Sequence, residues 1–314
     1  MAEQKPGDGE RWTLMVHGGC GGMNPATLSA EAEAEARAGL DAALDSGKAI
    51  LEAGGAALDA VEAAARVLEE DQSFNAGRGS VLAYDGHVEL DAAIMEGRGR
   101  RAGAVAGLRS TRAPISAARA VMEHSPHVLM SFEGADDFAR EQGLDQVPNR
   151  WFQTPERRRQ LDEFLAKGSG AFDLDIKYGT IGAVAVDQAG HVAAATSTGG
   201  LTAKRWGRIG DSPLIGCGVY ADDRSAAVSA TGLGEVFIRA AAAHELCARV
   251  RIGGEPLQDA LDAVLEEVVA LGGNGGLIAI TPAGDSAWGF TTNAMFRGVA
   301  SPDRREVMVY SGER

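Results

Sequence analysis

Cysteine is scarce in this 314-residue chain: Cys20, Cys217 and Cys247 stand far apart, with no CxxC pair among them. Three scattered thiols argue against a disulfide frame or a zinc knuckle and fit a reducing cytoplasm. Basic residues are outnumbered, 30 against 44 acidic ones, giving a formal net charge of -14. A surface of that sign argues against nucleic acid and anionic membranes as partners. Long apolar runs are missing as well. None is long enough to span a bilayer, and the opening MAEQKPGDGER lacks the apolar core of a signal peptide. A cytoplasmic location is therefore expected. No fixed-period repeat of the solenoid kind is present.

What is there has globular proportions, 45% hydrophobic and 24% charged, with apolar segments along the whole length. Trp12–Val16 reads as a buried strand running into a loop, His17 to Gly22. Alanine-rich amphipathic patterns predict helices over Ser29–Leu51 and Ala56–Glu70. Ser80–Tyr84 and His87–Ile94 flank Asp85-Gly86, a hairpin signal. Ala102–Leu108 reads as a strand, a helix starts near Pro114, and His127–Phe132 is strand-like. The polar stretch from about 150 to 179 is the best linker candidate. After it, Thr180–Val186 and His191–Thr198 read as paired strands around Gln188-Ala-Gly190. Leu214–Tyr220 and Ser225–Thr231 form another pair. Helices are expected over Glu235–Val250 and Pro256–Leu271, a hairpin over Leu277–Thr281 and Ser286–Thr291, and an edge strand at Glu306–Tyr310. Regular βαβ alternation is absent, so the pattern favours a layered α+β sandwich over a doubly wound sheet.

Several chemistries fail on spacing. There is no GxxxxGK[ST] phosphate loop, and the one relaxed dinucleotide match, Gly216 to Ala221, precedes a turn instead of a helix. His124 and His127 flank Pro126, which rules out a helical metal pair, and no HExxH occurs. His87, His191 and His244 have no ligand-type neighbour at suitable spacing. Ala195 to Gly199 resembles a serine nucleophile elbow around Ser197, but no helical pattern follows it. A plain structural role is the better reading for each.

Gly179-Thr180 is different. It lies where the polar stretch meets an apolar strand. A threonine hydroxyl is a poor nucleophile without a base beside it. Cleavage between Gly179 and Thr180 would free an α-amine, with an ordinary pKa of roughly 7.7–8.0, on the nucleophile itself. Thr198 ends the next strand and can face Thr180 across the hairpin. Arg208 and Asp211, three apart in a glycine-bounded loop, can read a zwitterionic amino acid, the arginine taking its carboxylate and the aspartate its ammonium. Thr231 and Gly232 sit at a strand-to-helix junction, where a hydroxyl and a backbone N–H can stabilise an oxyanion.

Taken together these residues resemble the plant-type asparaginase family, also called isoaspartyl or β-aspartyl peptidases. The resemblance spans nearly the whole chain. It includes His17-Gly-Gly, Phe74 to Ser80 (FNAGRGS), Glu89 to Met95 (ELDAAIM), Gly179 to Val184, Thr196 to Gly200 (TSTGG), Gly207 to Pro213 (GRIGDSP) and Ala230 to Glu235 (ATGLGE). It implies a single N-terminal-nucleophile (Ntn) hydrolase domain over 1–314, a four-layer αββα sandwich. It further implies autoproteolysis into an α subunit 1–179 and a β subunit 180–314, assembled as (αβ)2. By motif position Thr180 is the nucleophile, polarised by Thr198. Arg208 and Asp211 bind the substrate's carboxylate and ammonium, Thr231 and Gly232 form the oxyanion hole, and Gly234 lines the pocket. Asn75 shapes the site. No catalytic cofactor is implied, but a structural sodium ion is, held by backbone carbonyls of Leu68, Glu69, Asp71, Phe74, Ala76 and Arg78. The expected substrates are β-aspartyl dipeptides and L-asparagine, both yielding L-aspartate.

The chain departs from the family pattern at Cys20 and Cys217, where alanine is common, at Ala113, where asparagine is usual, and at Phe290 to Met295 (FTTNAM), where the family has FNTEGM. Glycosylasparaginases share Gly207 to Pro213 but carry aspartate before the nucleophile, and Gly179 favours the asparaginase branch. The remaining alternatives are a catalytically silent descendant kept for binding or assembly, and a hydrolase working through Ser197.

Overall fold

The computed structural model describes residues 11–166 and 179–313. The first ten residues and 167–178, the second half of the expected linker, lie outside the described residues. In chain order, β1 (Thr13–Gly21) is followed by α1 (Ala30–Glu52) and α2 (Ala57–Glu70), and then by β2 (Leu90–Glu96) and β3 (Ala102–Leu108). Next come α3 (Pro114–His124), β4 (Leu129–Ser131), α4 (Phe132–Glu141) and α5 (Pro155–Ala166). The rest comprises β5 (Thr180–Val186), β6 (Val192–Thr198), β7 (Val219–Ala221), β8 (Ala227–Gly232), α6 (Gly234–Ala240), α7 (Ala242–Ala248), α8 (Leu257–Ala270), β9 (Gly275–Ile280), β10 (Ser286–Phe290), β11 (Ala294–Ser301) and β12 (Arg304–Tyr310).

The strands form two sheets, ordered β12-β11-β1-β5-β6-β2-β3-β4 and β10-β9-β8-β7. All neighbours are antiparallel except β3 and β4. The mixed α/β content matches the expected α+β class. Strand alternation shows where each face goes. Leu14, Val16, Ile181, Ala183 and Ala195 join residues of α1, α2 and α3 in one apolar cluster. Met15, Val184, Val186 and Ala194 point the other way and meet Val219, Ala227, Ile278 and Ile280 of the second sheet. The outer face of that sheet, with Val228, Ala230, Leu277 and Ala279, packs on Leu246, Leu261, Val264 and Val268. Burial on both faces explains why β5 reads TIGAVAV with no polar alternation. Each large side chain so buried contributes about 1.5–3 kcal/mol.

Several expectations are corrected. The glycine run after His17 is strand, not loop: β1 continues to Gly21 through a bulge between His17 and Cys20. The missing side chains that suggested a loop let the backbone pass beside Phe74, whose ring would lie 2.2 Å from a Cβ on Gly18. Asp85-Gly86 does turn the chain, but 80–84 is irregular because its backbone groups pair elsewhere, Tyr84 N to Lys204 O and Ala203 N to Leu82 O. Part of the expected linker is helix α5, which buries only Leu161 and so carries almost no amphipathic signal. Helix α4 and strand β11 were not anticipated. The expected helix over 235–250 breaks at Ala241 (φ 46°), and the N–H groups of Ala243 and His244 donate to the carbonyls of Cys217 and Gly216. Among the described residues no helix is long and apolar enough to cross a membrane.

Candidate active site

The short β5–β6 hairpin fixes which residues face each other. Its register pairs Thr180 with Thr198, and the Thr180 hydroxyl donates to Thr198 Oγ1 at 3.2 Å. Thr198 Oγ1 also accepts from Gly200 N at 3.0 Å, so two hydrogen bonds hold it. Both threonines are buried and point into the space between the sheets. Ser197, one residue away, must point to the opposite face. There it donates to Glu69 Oε1 at 2.6 Å, and burial pushes the Glu69 carboxyl up to about 8. The serine-elbow alternative thus has its hydroxyl spent against a helix, away from the threonine pair.

The second sheet brings up Thr231 and Gly232 at the end of β8. Thr231 Oγ1 is buried and has no hydrogen-bond partner among the described residues. Gly232 has φ 150°, and a Cβ there would lie 2.5 Å from Asn274 O, so only glycine fits. Gly234 opens α6 between the two loop residues singled out in the sequence: a Cβ on it would sit 2.8 Å from Asp211 Oδ1 and 2.9 Å from Arg208 Nη2. Glycine therefore keeps open the gap that separates the two charges. Arg208 donates through Nε and Nη2 to Glu235 at 2.9 Å each, a partner the sequence reading did not foresee. Asp211 is 4% exposed, and its Oδ2 has no hydrogen-bond partner among the described residues. Burial pushes its carboxyl up to about 7, against the pull of Arg208.

Asn75 ties the start of β5 to the end of β6. Its Nδ2 donates to Gly200 O at 2.8 Å and its Oδ1 accepts from Val81 N at 2.9 Å, while its carbonyl takes Gly199 N at 3.0 Å. Its Cβ would be only 2.8 Å from a Cβ on Gly179, which leaves no side-chain room before Thr180. In the loop after α2, where Leu68, Glu69, Asp71, Phe74, Ala76 and Arg78 were expected to hold sodium, Leu68 O accepts from Asp71 N and Asp71 O from Phe74 N, both at 3.4 Å. A Cβ on Gly79 would lie 2.6 Å from Gln72 O and 2.8 Å from Phe74 O, and one on Gly77 2.3 Å from Glu69 O. Arg78 N occupies one face of Glu69 O at 2.6 Å.

The sequence model of the asparaginase family matches residues 10–309. The chain belongs to the asparaginase family. Among its relatives, the isoaspartyl peptidase of Salmonella typhimurium is 49% identical over 292 residues, which covers 90% of this chain and 93% of that protein. The isoaspartyl peptidase of Escherichia coli is 48% identical, covering 90% and 91%. The probable isoaspartyl peptidase/L-asparaginase 2 of Arabidopsis thaliana is 43% identical, covering 93% and 96%.

This asparaginase-family chain also holds polar groups near the site that sequence reasoning missed. One rung below the threonine pair, His17, Gly182 and Thr196 face each other across β1, β5 and β6. Gly182 has no side chain, and Ser229 of β8 fills the gap. His17 Nε2 lies 2.9 Å from Ser229 Oγ, Ser229 lies 2.7 Å from Thr196 Oγ1, and Thr196 donates to Gly218 O at 3.1 Å. Burial pushes the imidazole down to about 3, opposed by its hydrogen bond to the Thr180 backbone, so His17 stays neutral. On the other side of Thr198, β2 presents Asp91. Asp91 is fully buried, its carboxyl raised by burial and pulled back by the Lys204 charge. Lys204, also buried, donates to Glu89 O at 2.8 Å. His17 and Thr196 stand in motifs named from the sequence, whereas the signal for Ser229 was only a polar residue two positions before Thr231.

Proposed function

We propose that this chain is an isoaspartyl peptidase/L-asparaginase that breaks its own backbone between Gly179 and Thr180 and then uses Thr180 as nucleophile. The single observation that carries this reading is the 3.2 Å contact between the Thr180 and Thr198 hydroxyls at the start of β5, with Thr231 Oγ1 and Asp211 Oδ2 buried and without partners among the described residues. Buried polar atoms without partners are costly, and a cluster of them beside a nucleophile suits a site that receives ligand. The relatives named above support the same activity.

In the mature form the Thr180 α-amine takes the proton of Thr180 Oγ. The oxygen attacks the side-chain carbonyl of a β-aspartyl group. Thr231 Oγ1 and the N–H of Gly232 receive the developing oxyanion. Thr198, itself pinned by Gly200 N, keeps the nucleophile oriented. The α-ammonium returns its proton to the departing nitrogen, which leaves as ammonia or as an amino acid. Water, activated by the same amine, then cleaves the ester and releases aspartate. Arg208 fixes the substrate's α-carboxylate in competition with Glu235, Asp211 holds its ammonium, and Gly234 leaves the room between them.

The packing of helices on the outer face of each sheet supports a four-layer αββα arrangement of the Ntn-hydrolase type, formed by one domain of two subunits, 1–179 and 180–314. We further propose that the mature unit pairs as (αβ)2, that backbone carbonyls of Leu68, Glu69, Asp71, Phe74, Ala76 and Arg78 hold a structural sodium ion, and that three free thiols serve a cytoplasmic enzyme. Thr180→Ala is expected to leave one intact chain on a denaturing gel and no release of aspartate from β-aspartyl dipeptides. Normal processing or turnover in that variant would overturn the proposal.

A further inference from the structure

The strand order assigns the two flanks of Thr180 different tasks. In the eight-stranded sheet Thr180 lies between β6 and β1. On the β6 side come Thr198 and then Asp91, whose carboxylate feels the charges of Lys204 and Arg208. In the four-stranded sheet the loop carrying Arg208 and Asp211 leads into β7, which pairs with one edge of β8. Both sheets therefore put the groups that hold an amino-acid end on the same flank.

The opposite flank is built from other residues. β9 and β10 lie beyond the other edge of β8, and β1 and β11 beyond the other edge of β5. The link 291–293 crosses from the end of β10 to the start of β11. The pairings Gly21↔Ala294, Gly232↔Gly275 and Phe290↔Gly276 place this link at the same end of the sheets as Thr180 and Thr231. It is also tied to the site by contact. Gly275, the partner of Gly232, donates to Thr291 Oγ1 at 3.0 Å and accepts from Thr291 N at 2.8 Å. The buried Cys20 Sγ lies 3.7 Å from Thr231 O, and the register pairs Cys20 with Met295 and Gly21 with Ala294, beside the end of the link. Cys20 and 291–294, which depart from the family pattern, are thus neighbours. Asn293 is exposed at the tip, and its amide has no partner among the described residues.

We infer that residues 291–293 form the subsite for the leaving residue of a β-aspartyl dipeptide, and that Asn293 meets its α-carboxylate with a neutral donor in place of a cation. This rests on the reading of Thr180 as nucleophile. When the aspartyl end is held on the β6 flank, the departing nitrogen must lie across the reacting carbon, on the β1–β11 flank. The amide of Asn293 is a donor that a carboxylate can use, while the hydroxyls of Thr291 and Thr292 donate to Gly275 O at 3.4 Å and Ala294 O at 2.9 Å and so hold the link in shape. Because the amide carries no charge it grips the carboxylate weakly and releases it readily.

A charge placed at Asn293 reads this out. The substrates are β-aspartyl-leucine, its C-terminal amide and L-asparagine, assayed on the mature two-chain protein. Asn293→Asp is expected to lower the ratio of kcat/KM for β-aspartyl-leucine to that for L-asparagine by about fivefold, the effect of one like charge at contact in water. Asn293→Lys is expected to raise it, and the amide, with no carboxylate, to show neither change. Equal effects on all three substrates, or none on the ratio, would overturn the subsite. A wild-type protein that hydrolyses none of them would instead remove the assignment of Thr180.

Discussion

Asp211 offers a test in which stability and function must move in opposite directions. Its carboxyl is raised from 3.8 to about 7, chiefly by burial, with Arg208 opposing. Between those two values the folded state holds a proton that the unfolded chain has lost. Stability therefore falls as pH rises from near 4 to near 7, and is level outside that window. At 1.36 kcal/mol per unit, the full shift costs the ionised protein roughly 4 kcal/mol, and the part lying between pH 5 and pH 8 about 3 kcal/mol. Asp211→Asn has nearly the same shape and does not titrate. The stability gap between Asn and Asp should therefore widen by up to that amount from pH 5 to pH 8. Urea unfolding at both pH values, in a Thr180→Ala background that keeps one chain, measures it. With Thr180 restored, the same substitution should weaken substrate binding by about ten- to a hundredfold, because a charge-assisted hydrogen bond to the substrate ammonium is lost. In the wild type KM should rise as pH falls through 7, where Asp211 takes up its proton. A gap that stays constant or narrows toward pH 8 would refute the account of Asp211 as a carboxylate kept at a folding cost for binding.

Three further substitutions probe separate links. Gly179→Ala should slow self-cleavage, because its Cβ would press on that of Asn75 at 2.8 Å; the double variant with Asn75→Ala should not recover, since alanine keeps that Cβ and loses the hold on Gly200 O, and a gel time course follows both. Ser229→Ala removes the group joining His17 to Thr196 and should cost about 1–3 kcal/mol, lowering kcat more than it raises KM; an unchanged kcat would show that the rung beneath Thr180 is not needed to hold Thr231 over it. Ser197→Ala should keep both maturation and turnover while losing stability, because Glu69 Oε1 loses one of its two donors and keeps only Ile115 N; loss of turnover in a stable, processed variant would revive the serine alternative.

Much of the site was legible because its parts are local. A hairpin with a three-residue turn sets Thr180 opposite Thr198, and loop spacing alone brings Arg208 to Asp211. The apolar strands and α1, α2, α3 and α8 were also readable, since each buries a continuous stripe. Failures have common causes. Helix α5 buries one side chain, so its pattern looks like linker. The glycines of β1 erase the alternation that identifies a strand. Strand β11 carries Arg297 among apolar residues, and its guanidinium is buried against the carbonyls of Met295 and Val309. Such an arginine reads as surface until its acceptors are known.

The sequence by itself determined the family, the strand that begins with the candidate nucleophile and the loop that carries its two charged helpers. Local periodicity and ordered motifs are enough for that. The tertiary structure alone decided that Ser229 reaches His17 across 212 residues, that Glu235 competes for Arg208, and that the two flanks of Thr180 are unlike. These depend on how two separately formed sheets face each other, and that offset is fixed by side chains packing between them, which no single stretch of chain encodes.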